Sequence, residues 1–498
     1  MKIQSWALLG VLFLIMSYSE GAEVQSPDYV GFKNNGSGRF EHCKPPTQWD
    51  EVRGANIAWK TPMPSWTASS PIVVSNRVIT LAEPNLVLCV DLENGNLLWQ
   101  TAIDQTLLLP EEKREEARTL YANWRARYSE ELAKAVELQV LKDRLLCIDG
   151  KADKAFSGNF MLGMIDKSLK QRAVESAKAS PKKDIEAMRA RAEALQKEVL
   201  RGMTTPSTDI TWPQSGSGEE WNEGRKLLAE YGYQFETWYG HMGHTFATPV
   251  SDCEFVYVSM GWGQVAALDL NGGVKWMRWF KVDGTPQLRY TNSPLLVGKT
   301  LIVIAGGAIR AFDTRNGDII WQSIYPPPRI SMGQNHAGSP LCVRLGKTDL
   351  IITSHGRIYR ASDGKIMTEN LPEVVASPAV DGNLVFLSSG GVHGTTGKVK
   401  ALAYRMTLSE DGEALSLECV WETPLGGRAG MWTGPTCLGG LLYYAYPQNV
   451  LVLKASTGEL VASHVPNEFD YSGSHAINTV TAGGYVFTGL ESDWGVSD

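Results

Sequence analysis

The stretch from Ser293 to Trp321, SPLLVGKTLIVIAGGAIRAFDTRNGDIIW, contains one complete copy of a unit that recurs along the chain. It opens with a small residue and a proline, continues through short apolar runs of strand length, and ends with Asn316-Gly317 and a tryptophan. Proline at the first position of a strand has no ladder hydrogen bond to donate. Asn-Gly pairs supply the positive φ angles that two-residue hairpin turns require. The unit therefore predicts a short antiparallel meander.

The same unit occurs before and after this copy. Its openings are Ser70-Pro71, Thr248-Pro249, Ser293-Pro294, Ser339-Pro340, Ser377-Pro378 and Gly434-Pro435, with a seventh at Asn478-Thr479 that lacks the proline. From residue 248 onward the openings lie 45, 46, 38, 57 and 44 residues apart, which is the spacing of four-stranded propeller blades. Extra residues in a hairpin around Thr407 to Glu418 explain the long interval. The predicted fold class is all-β, a seven-bladed β-propeller, with eight blades as the alternative count.

Tryptophans stand at one fixed position of the repeat. Trp99, Trp276 and Trp321 each follow the turn glycine of their unit by four residues. A large flat side chain at this position fills the wedge between neighbouring blades, so we expect these residues to be structural. The strand around Trp59 has no blade before it, and the last unit lacks a fourth strand with a tryptophan. Pairing this strand with the last blade closes the ring and removes two free edges.

Between the first and second units the β pattern gives way to helical periodicity. Apolar residues from Ala117 to Leu138 recur every three or four positions, and a second helix is predicted between Ser180-Pro181 and Gly202. We expect the two helices to pack as a hairpin in a large helical insert. The predicted domains are a signal peptide (1–22), a leader with the closing strand and first blade (23–102), the mainly helical insert (103–244) and the remaining blades (245–498).

The first residues have the pattern of an export signal. Lys2 precedes the apolar run from Trp6 to Met16, which has signal-peptide length and is too short to span a bilayer. No cysteine lies near the cleavage region, so lipid attachment there is not expected. We predict a secreted or periplasmic protein without a stable membrane span. The 47 basic and 54 acidic residues leave a net charge of −7, which argues against nucleic acid as a partner.

The repeat resembles that of pyrroloquinoline-quinone (PQQ) proteins, in which a small residue and proline open the unit and A-x-D-x-x-T-G-x-x-x-W closes it. GFKNNGSGRF at 31–40, ANIAWKTPMP at 55–64 and ATPVSDCEFVYVSMGWG at 247–263 resemble segments of exported bacterial PQQ-binding-like propellers. The resemblance implies the propeller fold and covers most of the chain outside the signal and the insert.

The resemblance does not extend to the cofactor site of the related dehydrogenases. Those enzymes hold PQQ between a tryptophan and a disulfide of adjacent cysteines, with calcium on oxygen ligands and an aspartate base nearby. The seven cysteines of this chain are never adjacent, and its blade-entry loops lack an obvious set of oxygen ligands for a hard cation. We therefore do not expect PQQ binding and leave the cofactor unknown.

The register of the repeat places five side chains in loops that lead into the first strand of a blade. These candidate binding residues are His244, His336, Arg428, Trp432 and His475. Entry loops converge around the axis on one face of a propeller, so we expect these residues to form an axial mouth that binds an anion, a sugar or a metal. The alternative is that they hydrogen-bond the entry loops to one another.

We interpret the chain as a binding or interaction module whose partner is an unidentified protein, small molecule or saccharide. The alternative is an enzyme that uses a quinone or metal cofactor at the mouth, which acidic residues beside the histidines would favour. A third interpretation is an envelope-assembly scaffold similar to lipid-anchored propellers, against which the missing lipid-attachment cysteine counts. The chain contains no P-loop, nucleophile elbow, dinucleotide fingerprint or HExxH, so the sequence leaves open whether it is an enzyme.

Overall fold

The structure is a computed structural model. It describes residues 30–40, 43–50, 53–65, 67, 69–83, 85–151, 174–202, 245–261, 263–280, 292–305, 307–324, 338–389, 399–425, 434–446, 449–464 and 479–488. The described residues form two compact units. The first contains those up to Asp104 together with those from Thr245 onward, and the second contains those from Gln105 to Gly202.

The four-stranded sheets of the first unit are antiparallel, and their strands follow one another in chain order. Within the described residues there are six four-stranded sheets and one three-stranded sheet. The four-stranded sheets are sheet 1 (β2 Ile72–Val74, β3 Arg77–Ala82, β4 Leu86–Asp91, β5 Leu97–Ala102), sheet 2 (β6 Val250–Ser251, β7 Phe255–Ser259, β8 Gln264–Asp269, β9 Val274–Trp279), sheet 3 (β10 Leu295–Val297, β11 Thr300–Ala305, β12 Ala308–Asp313, β13 Ile319–Ile324), sheet 4 (β14 Leu341–Leu345, β15 Thr348–Ile352, β16 Ile358–Arg360, β17 Ile366–Thr368), sheet 5 (β18 Ala379–Asp381, β19 Leu384–Ser389, β20 Lys400–Leu408, β21 Leu415–Pro424) and sheet 6 (β22 Thr436–Leu438, β23 Leu441–Tyr446, β24 Asn449–Lys454, β25 Leu460–His464).

Sheet 7 is formed by the two ends of the described chain. Its strands are β26 (Val480–Ala482) and β27 (Tyr485–Phe487), and β1 (Arg39–Phe40) pairs with β26 in parallel. The N-terminal strand that pairs in sheet 7 is thus Arg39–Phe40, upstream of the strand predicted at Trp59. The last part of the predicted partner, residues 489–498, lies outside the described residues, so the pairing of Trp59 stays a prediction.

The hydrophobic core lies between consecutive sheets. One cluster joins Tyr257 and Trp276 of sheet 2 to Phe312 of sheet 3, and further clusters join sheets 3 and 4, sheets 4 and 5, and sheets 5 and 6. Side chains along the strands either alternate between buried and more exposed or are buried on both faces. A sheet in the middle of such a stack has neighbours on each side. Each pair of sheets therefore shares a core, and no sheet of this series is stable by its own packing alone.

Tryptophans join sheet 1 to 2, sheet 2 to 3, sheet 3 to 4 and sheet 5 to 6, which confirms their predicted role between sheets. The indole N–H of Trp276 donates to the carbonyl of Thr314 in sheet 3 at 2.9 Å, and its ring stacks on Phe312. The other members of the series donate in the same way at 2.9 Å: Trp59 to Leu92, Trp99 to Leu270, Trp321 to Ala361 and Trp421 to Ala455. Buried indole N–H groups need such a partner.

The turns between third and fourth strands correct one prediction. Five residues, 314–318 in sheet 3, separate Asp313 from Ile319, so the turn is not a two-residue hairpin. Gly317 has the predicted positive φ of +71°, and a Cβ at this position would lie 2.5 Å from Cε3 of Trp276. Glycine is therefore required both by the backbone conformation and by the tryptophan of the preceding sheet.

The extra residues around Thr407 to Glu418 lengthen one hairpin, as predicted. Strands β20 and β21 pair from Lys400–Pro424 to Leu408–Leu415. At the tip of this hairpin Glu413 forms ion pairs with Arg360 at 2.5 Å and Lys365 at 2.8 Å of sheet 4. The long hairpin therefore packs against the neighbouring sheet through charges as well as through the shared core.

The second unit contains two long helices, α1 (Glu111–Ile148) and α2 (Lys182–Gly202), with a 3₁₀ turn at Gln105–Leu108 and a helical stretch over 174–178. Leu138 of α1 packs against Ala192 and Leu195 of α2. Arg191 forms two hydrogen bonds of 2.8 Å with the Glu137 carboxylate. Among the described residues no helix is both long and apolar enough to cross a membrane.

Candidate functional site at the first strands

The first strands of the sheets lie side by side. β6 contacts β10, β10 contacts β14, β18 contacts β22, and β22 contacts β26. Each of these strands directly follows an opening of the repeat, which is a small residue and proline for all of them except β26. The segments that enter the first strands are therefore neighbours at one end of the sheets.

Buried hydroxyl groups connect these openings. The backbone N–H of Thr248 donates to Oγ of Ser293 at 3.0 Å, Ser293 N–H donates to Ser339 Oγ at 3.0 Å, and Ser339 N–H donates to Ser377 Oγ at 2.9 Å. A buried N–H group without an acceptor is costly. The serine before the proline at residues 293, 339 and 377 is thus explained by the opening that precedes it, which the sequence pattern alone did not reveal.

The sixth and seventh openings break this series. Gly434 replaces the serine, and a Cβ there would lie 2.0 Å from the carbonyl oxygen of Ser377. In the next step a side chain again makes the link, since Oγ1 of Thr436 donates to the carbonyl of Thr479. Only glycine fits at residue 434 because the two backbones approach so closely.

The N-terminal segment Val30–Phe40 lies against the first strands of five sheets. Its contacts are the Val30 bridge to Ser251 of sheet 2, Gly36 beside Leu341 of sheet 4, Arg39 with Asp381 of sheet 5, Lys33 with Thr436 of sheet 6, and the Arg39–Phe40 ladder to sheet 7. This short segment therefore contacts strands that are more than 200 residues apart in the chain.

Lys33 is the charged group of this segment. Its side chain is buried, and Nζ donates to the carbonyls of Gly434 and Pro435, both at 3.2 Å, and to Thr436 Oγ1 at 3.4 Å. Burial lowers the pKa of Lys33 from 10.5 to about 7, because desolvation disfavours the ammonium form. The three oxygen acceptors compensate part of the cost of burying the amine.

Arg39 is a second charged residue of the segment, and it contacts β22 and β18. Its Nε donates to the carbonyl of Cys437 at 2.5 Å, and its guanidinium forms an ion pair with Asp381 at 3.2 Å. The thiol of Cys437 is buried, and burial raises its pKa to about 12, while Asp381 and Arg39 act on it in opposite directions. Arg39 therefore joins sheets 5 and 6 from the side of the N-terminal segment.

The five predicted mouth residues, His244, His336, Arg428, Trp432 and His475, lie outside the described residues, so the structure does not bring them together or separate them. Described residues next to them are anchored, however. Thr245 donates its N–H and hydroxyl to Glu83 at 3.0 and 2.8 Å, and the carbonyl of Gly338 accepts from Asn292 and Ser354.

The anchor of Thr245 is a buried carboxylate. Glu83 is buried, at 5% exposure, and bonds to Thr245, which directly follows His244. Asp104 and Gln264 are also buried, and Gln264 donates to the carbonyl of Ile103 at 3.3 Å. Within the described ranges no group of three or more His, Cys, Asp or Glu side chains is placed to hold a metal ion.

Sequence reasoning treated the segment around GFKNNGSGRF as a leader and missed its position among the first strands. The signal was its glycines: Gly36 and Gly38 have φ of +87° and +71°, and a Cβ on Gly38 would lie 2.8 Å from Thr436 Oγ1. Several glycines within ten residues are typical of a chain that turns tightly and approaches other backbones closely. The glycines predict that the segment packs closely against other backbones, but they do not identify the strands that it contacts.

Comparisons with known proteins agree with the repeat. Residues 237–403 match the family model of PQQ-like repeats described as "Outer membrane protein assembly factor BamB". These residues belong to the PQQ-like repeat β-propeller family. The same indole-to-carbonyl and tryptophan-to-glycine contacts recur outside the matched range, at Trp99 and at Trp421.

Solved structures with similar folds include two from this repeat class. BamB from Moraxella catarrhalis is 18% identical, with 48% of this chain and 67% of that chain covered at a TM-score of 0.34. Quinohemoprotein alcohol dehydrogenase from Comamonas testosteroni is 15% identical, with 47% of this chain and 44% of that chain covered at 0.33. No match was found among curated proteins. Because both TM-scores are below 0.5, we rest the fold on the sheets and on the family match.

Proposed function

We propose that the chain is an exported, closed seven-bladed propeller that acts as an interaction module and binds its partner at the axial mouth. The observation that carries this proposal is the arrangement of the first strands, which lie side by side with their openings linked by buried hydroxyl groups. We infer that the five candidates, which precede these openings in the chain, lie at one common end of the sheets. The blade sheets then act as a rigid support for them.

Two contacts support ring closure. Val30–Phe40 touches the first strands of sheets 2, 4, 5, 6 and 7, which supports a ring in which these strands face a common space. Trp59 donates to Leu92 of sheet 1, and Gly95 of sheet 1 takes the place against Trp59 that Gly317 takes against Trp276. Trp59 thus stands where the tryptophan of a preceding blade belongs. Projection images of single particles along the axis would count seven blades, and eight would overturn the closure.

The candidate residues favour an anionic or aromatic-stacking group of the partner. Three imidazoles, a guanidinium and an indole offer hydrogen-bond donors, positive charge and a stacking surface. The family description names an assembly factor, which favours a protein partner that presents acidic or aromatic side chains. A small molecule or saccharide with the same groups is the alternative ligand.

Substitutions at the mouth test the site directly, with zinc as a probe of converging histidines. If His244, His336 and His475 converge, one Zn²⁺ binds per chain by isothermal titration, and each histidine-to-alanine change weakens binding at least about tenfold. His464→Ala is the matched control because His464 is exposed on the outer strand of sheet 6. Zinc binding that survives the triple substitution, or its complete absence, removes the converging-histidine site. Inorganic phosphate titrated against Arg428→Ala then tests an anion site without metal.

An enzyme with a quinone or metal cofactor is the second candidate, and the buried carboxylate of Glu83 next to Thr245 is the observation that favours it. We keep the prediction that the chain does not bind PQQ. Incubation with PQQ and Ca²⁺, followed by gel filtration, should leave no quinone absorbance with the protein. Retained absorbance together with dye-linked alcohol or sugar oxidation would establish the enzyme instead.

Export is proposed on the basis of the signal pattern at 1–22. Periplasmic or secreted protein should begin after Ser17 to Ala22 when its N-terminus is sequenced. An intact N-terminus on protein from the cytoplasmic fraction would contradict export. The limits of the leader with first blade (23–102), the helical insert (103–244) and the remaining blades (245–498) stay part of the same proposal.

A further inference from the structure

The segment Val30–Phe40 follows a looped course along the first strands. Its two ends pair with the last residues of first strands, Val30 with Ser251 at the end of β6 and Phe40 with Ala482 at the end of β26. Its middle reaches the opposite ends, since Nζ of Lys33 bonds to the carbonyls of Gly434 and Pro435 just before β22. The chain therefore enters from the far end of the strands, reaches their openings and returns.

The loop has its own internal structure. The N–H of Gly31 donates to the carbonyl of Asn34 at 2.6 Å, that of Gly36 to Phe32 at 2.9 Å, and that of Gly38 to Lys33 at 2.9 Å. Lys33 and Asn34 adopt positive φ angles of 49° and 68°, a conformation that non-glycine residues hold only when the surroundings determine it. The loop is thus a compact body and not an extended tail.

The surroundings leave the loop little space. A Cβ on Gly31 would lie 2.9 Å from Cγ2 of Val250 in sheet 2, and a Cβ on Gly38 would lie 2.8 Å from Oγ1 of Thr436 in sheet 6. The loop therefore packs closely against the first strands of two different sheets.

We propose that Val30–Phe40 is an internal plug that seals the space enclosed by the first strands, so that the axial mouth is a cup with Lys33–Gly36 as its floor. The proposal rests on the closed ring of the proposed function and is independent of which residues line the mouth. A ligand then enters and leaves only from the side of the blade-entry segments. The plug also fastens sheets 2, 4, 5, 6 and 7 to one another.

Two glycine substitutions isolate the packing of the plug. Gly38 and Gly54 both have φ of +71°, but no atom of the described residues lies within 4 Å of a Cβ built on Gly54. Gly38→Ala and Gly54→Ala therefore share the backbone cost of alanine in this conformation and differ in the collision with Thr436. Hydrogen exchange is measured by mass spectrometry on the full chain for peptides covering 30–40, β22 and β11.

We expect Gly38→Ala to accelerate exchange in residues 30–40 and in β22 at least about tenfold, with β11 in the core of sheet 3 unchanged and Gly54→Ala like the wild type. Equal behaviour of the two variants in these peptides would overturn the plug. Acceleration of β11 together with β22 in Gly38→Ala would also overturn it, because the effect would then be global unfolding.

Thiol labelling of the wild-type protein gives a measurement that does not depend on the variants. The carbonyl of Cys437 accepts a hydrogen bond from Arg39 of the plug. Cys89 is buried in the core of sheet 1 at 0% exposure. Local release of the plug predicts labelling of Cys437 at least about tenfold faster than that of Cys89. Equal rates, or unprotected amides throughout residues 30–40, would contradict the plug. An open or eight-bladed ring in projection images with a protected segment 30–40 would instead refute the closure alone.

Discussion

The sheets are held together in different ways at their fourth strands, here called the outer part, and at their first strands, here called the inner part. On the outside, one contact is repeated from sheet to sheet, an indole N–H to a carbonyl with the ring on a turn glycine. On the inside, the serine series ends at Ser377, and a unique segment with a buried lysine takes over at sheets 5 to 7. The outer contacts connect only neighbours, whereas the inner segment connects five sheets.

In the proposed ring, this difference explains how a repeat fold is closed. Nearest-neighbour contacts determine the stacking of one sheet on the next but set no end to the series. A non-repeating element that touches many sheets at once selects one ring. We therefore expect substitutions outside to act locally and additively, and substitutions in Val30–Phe40 to affect distant sheets together.

The largest effect expected is the pH dependence caused by Lys33. Its pKa is about 7 in the folded protein, against the ordinary lysine value of 10.5, so between these values the unfolded chain binds more protons and stability rises with pH. One pKa unit corresponds to about 1.4 kcal/mol, so the full shift amounts to several kcal/mol. Urea unfolding from pH 6.5 to 9.5 should show the wild type gaining stability relative to Lys33→Met.

The difference between the two proteins is the quantity that matters. Burial raises the pKa of Cys89 to about 11 and that of Cys437 to about 12, so these thiols lower stability as pH rises through their unfolded values. They are present in both proteins and cancel. If the free energy of unfolding of wild type and of Lys33→Met changes with pH in the same way, the amine of Lys33 is hydrated. The segment around Lys33 would then be exposed to solvent like an ordinary surface.

Substitution of an outer tryptophan is expected to cost about 3–5 kcal/mol, the usual range for a buried aromatic residue changed to alanine. Trp276 is 7% exposed. The substitution Trp276→Ala removes both the hydrogen bond to Thr314 and the stacking on Phe312. Chemical denaturation should give a similar loss for Trp321→Ala, since Trp321 is 8% exposed with the equivalent bond to Ala361. A loss in either variant below about 1 kcal/mol would refute the role of the outer series.

The outer series was predictable because it repeats. Trp99, Trp276 and Trp321 follow their turn glycines at one spacing, and a feature at one spacing in a repeat must have one structural cause. The length of the turns was mispredicted, since Asn-Gly suggests a two-residue hairpin, whereas the strands end at Asp313 and Ile319. Dipeptide preferences do not contain the register shift between Ala311 and Phe312 or the contact of Gly317 with Trp276.

The inner part was not predictable in the same way. Lys33 and Arg39 occur once and contact residues more than 300 positions away, so no periodicity points to their partners. The candidate residues of the mouth were derived from register alone, and they stay a prediction. Glu83 was missed because it lies in a loop between β3 and β4 and bonds to Thr245 across sheets, which no spacing in the sequence signals.

A smaller effect separates backbone conformation from packing at the outer turns. Gly317 and Gly298 both have positive φ, but only Gly317 faces an indole, and no described atom lies within 4 Å of a Cβ on Gly298. Alanine costs about 1–2 kcal/mol at either site for the conformation, and overpacking adds about 1–3 kcal/mol at Gly317. Equal unfolding midpoints for Gly317→Ala and Gly298→Ala would show that the turn moves away from Trp276 without cost.

The smallest effect concerns the hydroxyl series at the openings. Ser339→Ala removes the acceptor of the buried Ser293 N–H, while the N–H of Ser339 keeps its bond to Ser377. A buried donor without a partner costs about 1–3 kcal/mol, and a water that replaces the hydroxyl would reduce this loss. Ser416→Ala is the control, because its exposed hydroxyl only donates to the carbonyl of Thr407, and a change within about 0.5 kcal/mol is expected there. If Ser339→Ala unfolds at the same urea concentration as Ser416→Ala, the inner series contributes no stability, and the Val30–Phe40 segment alone would join the first strands.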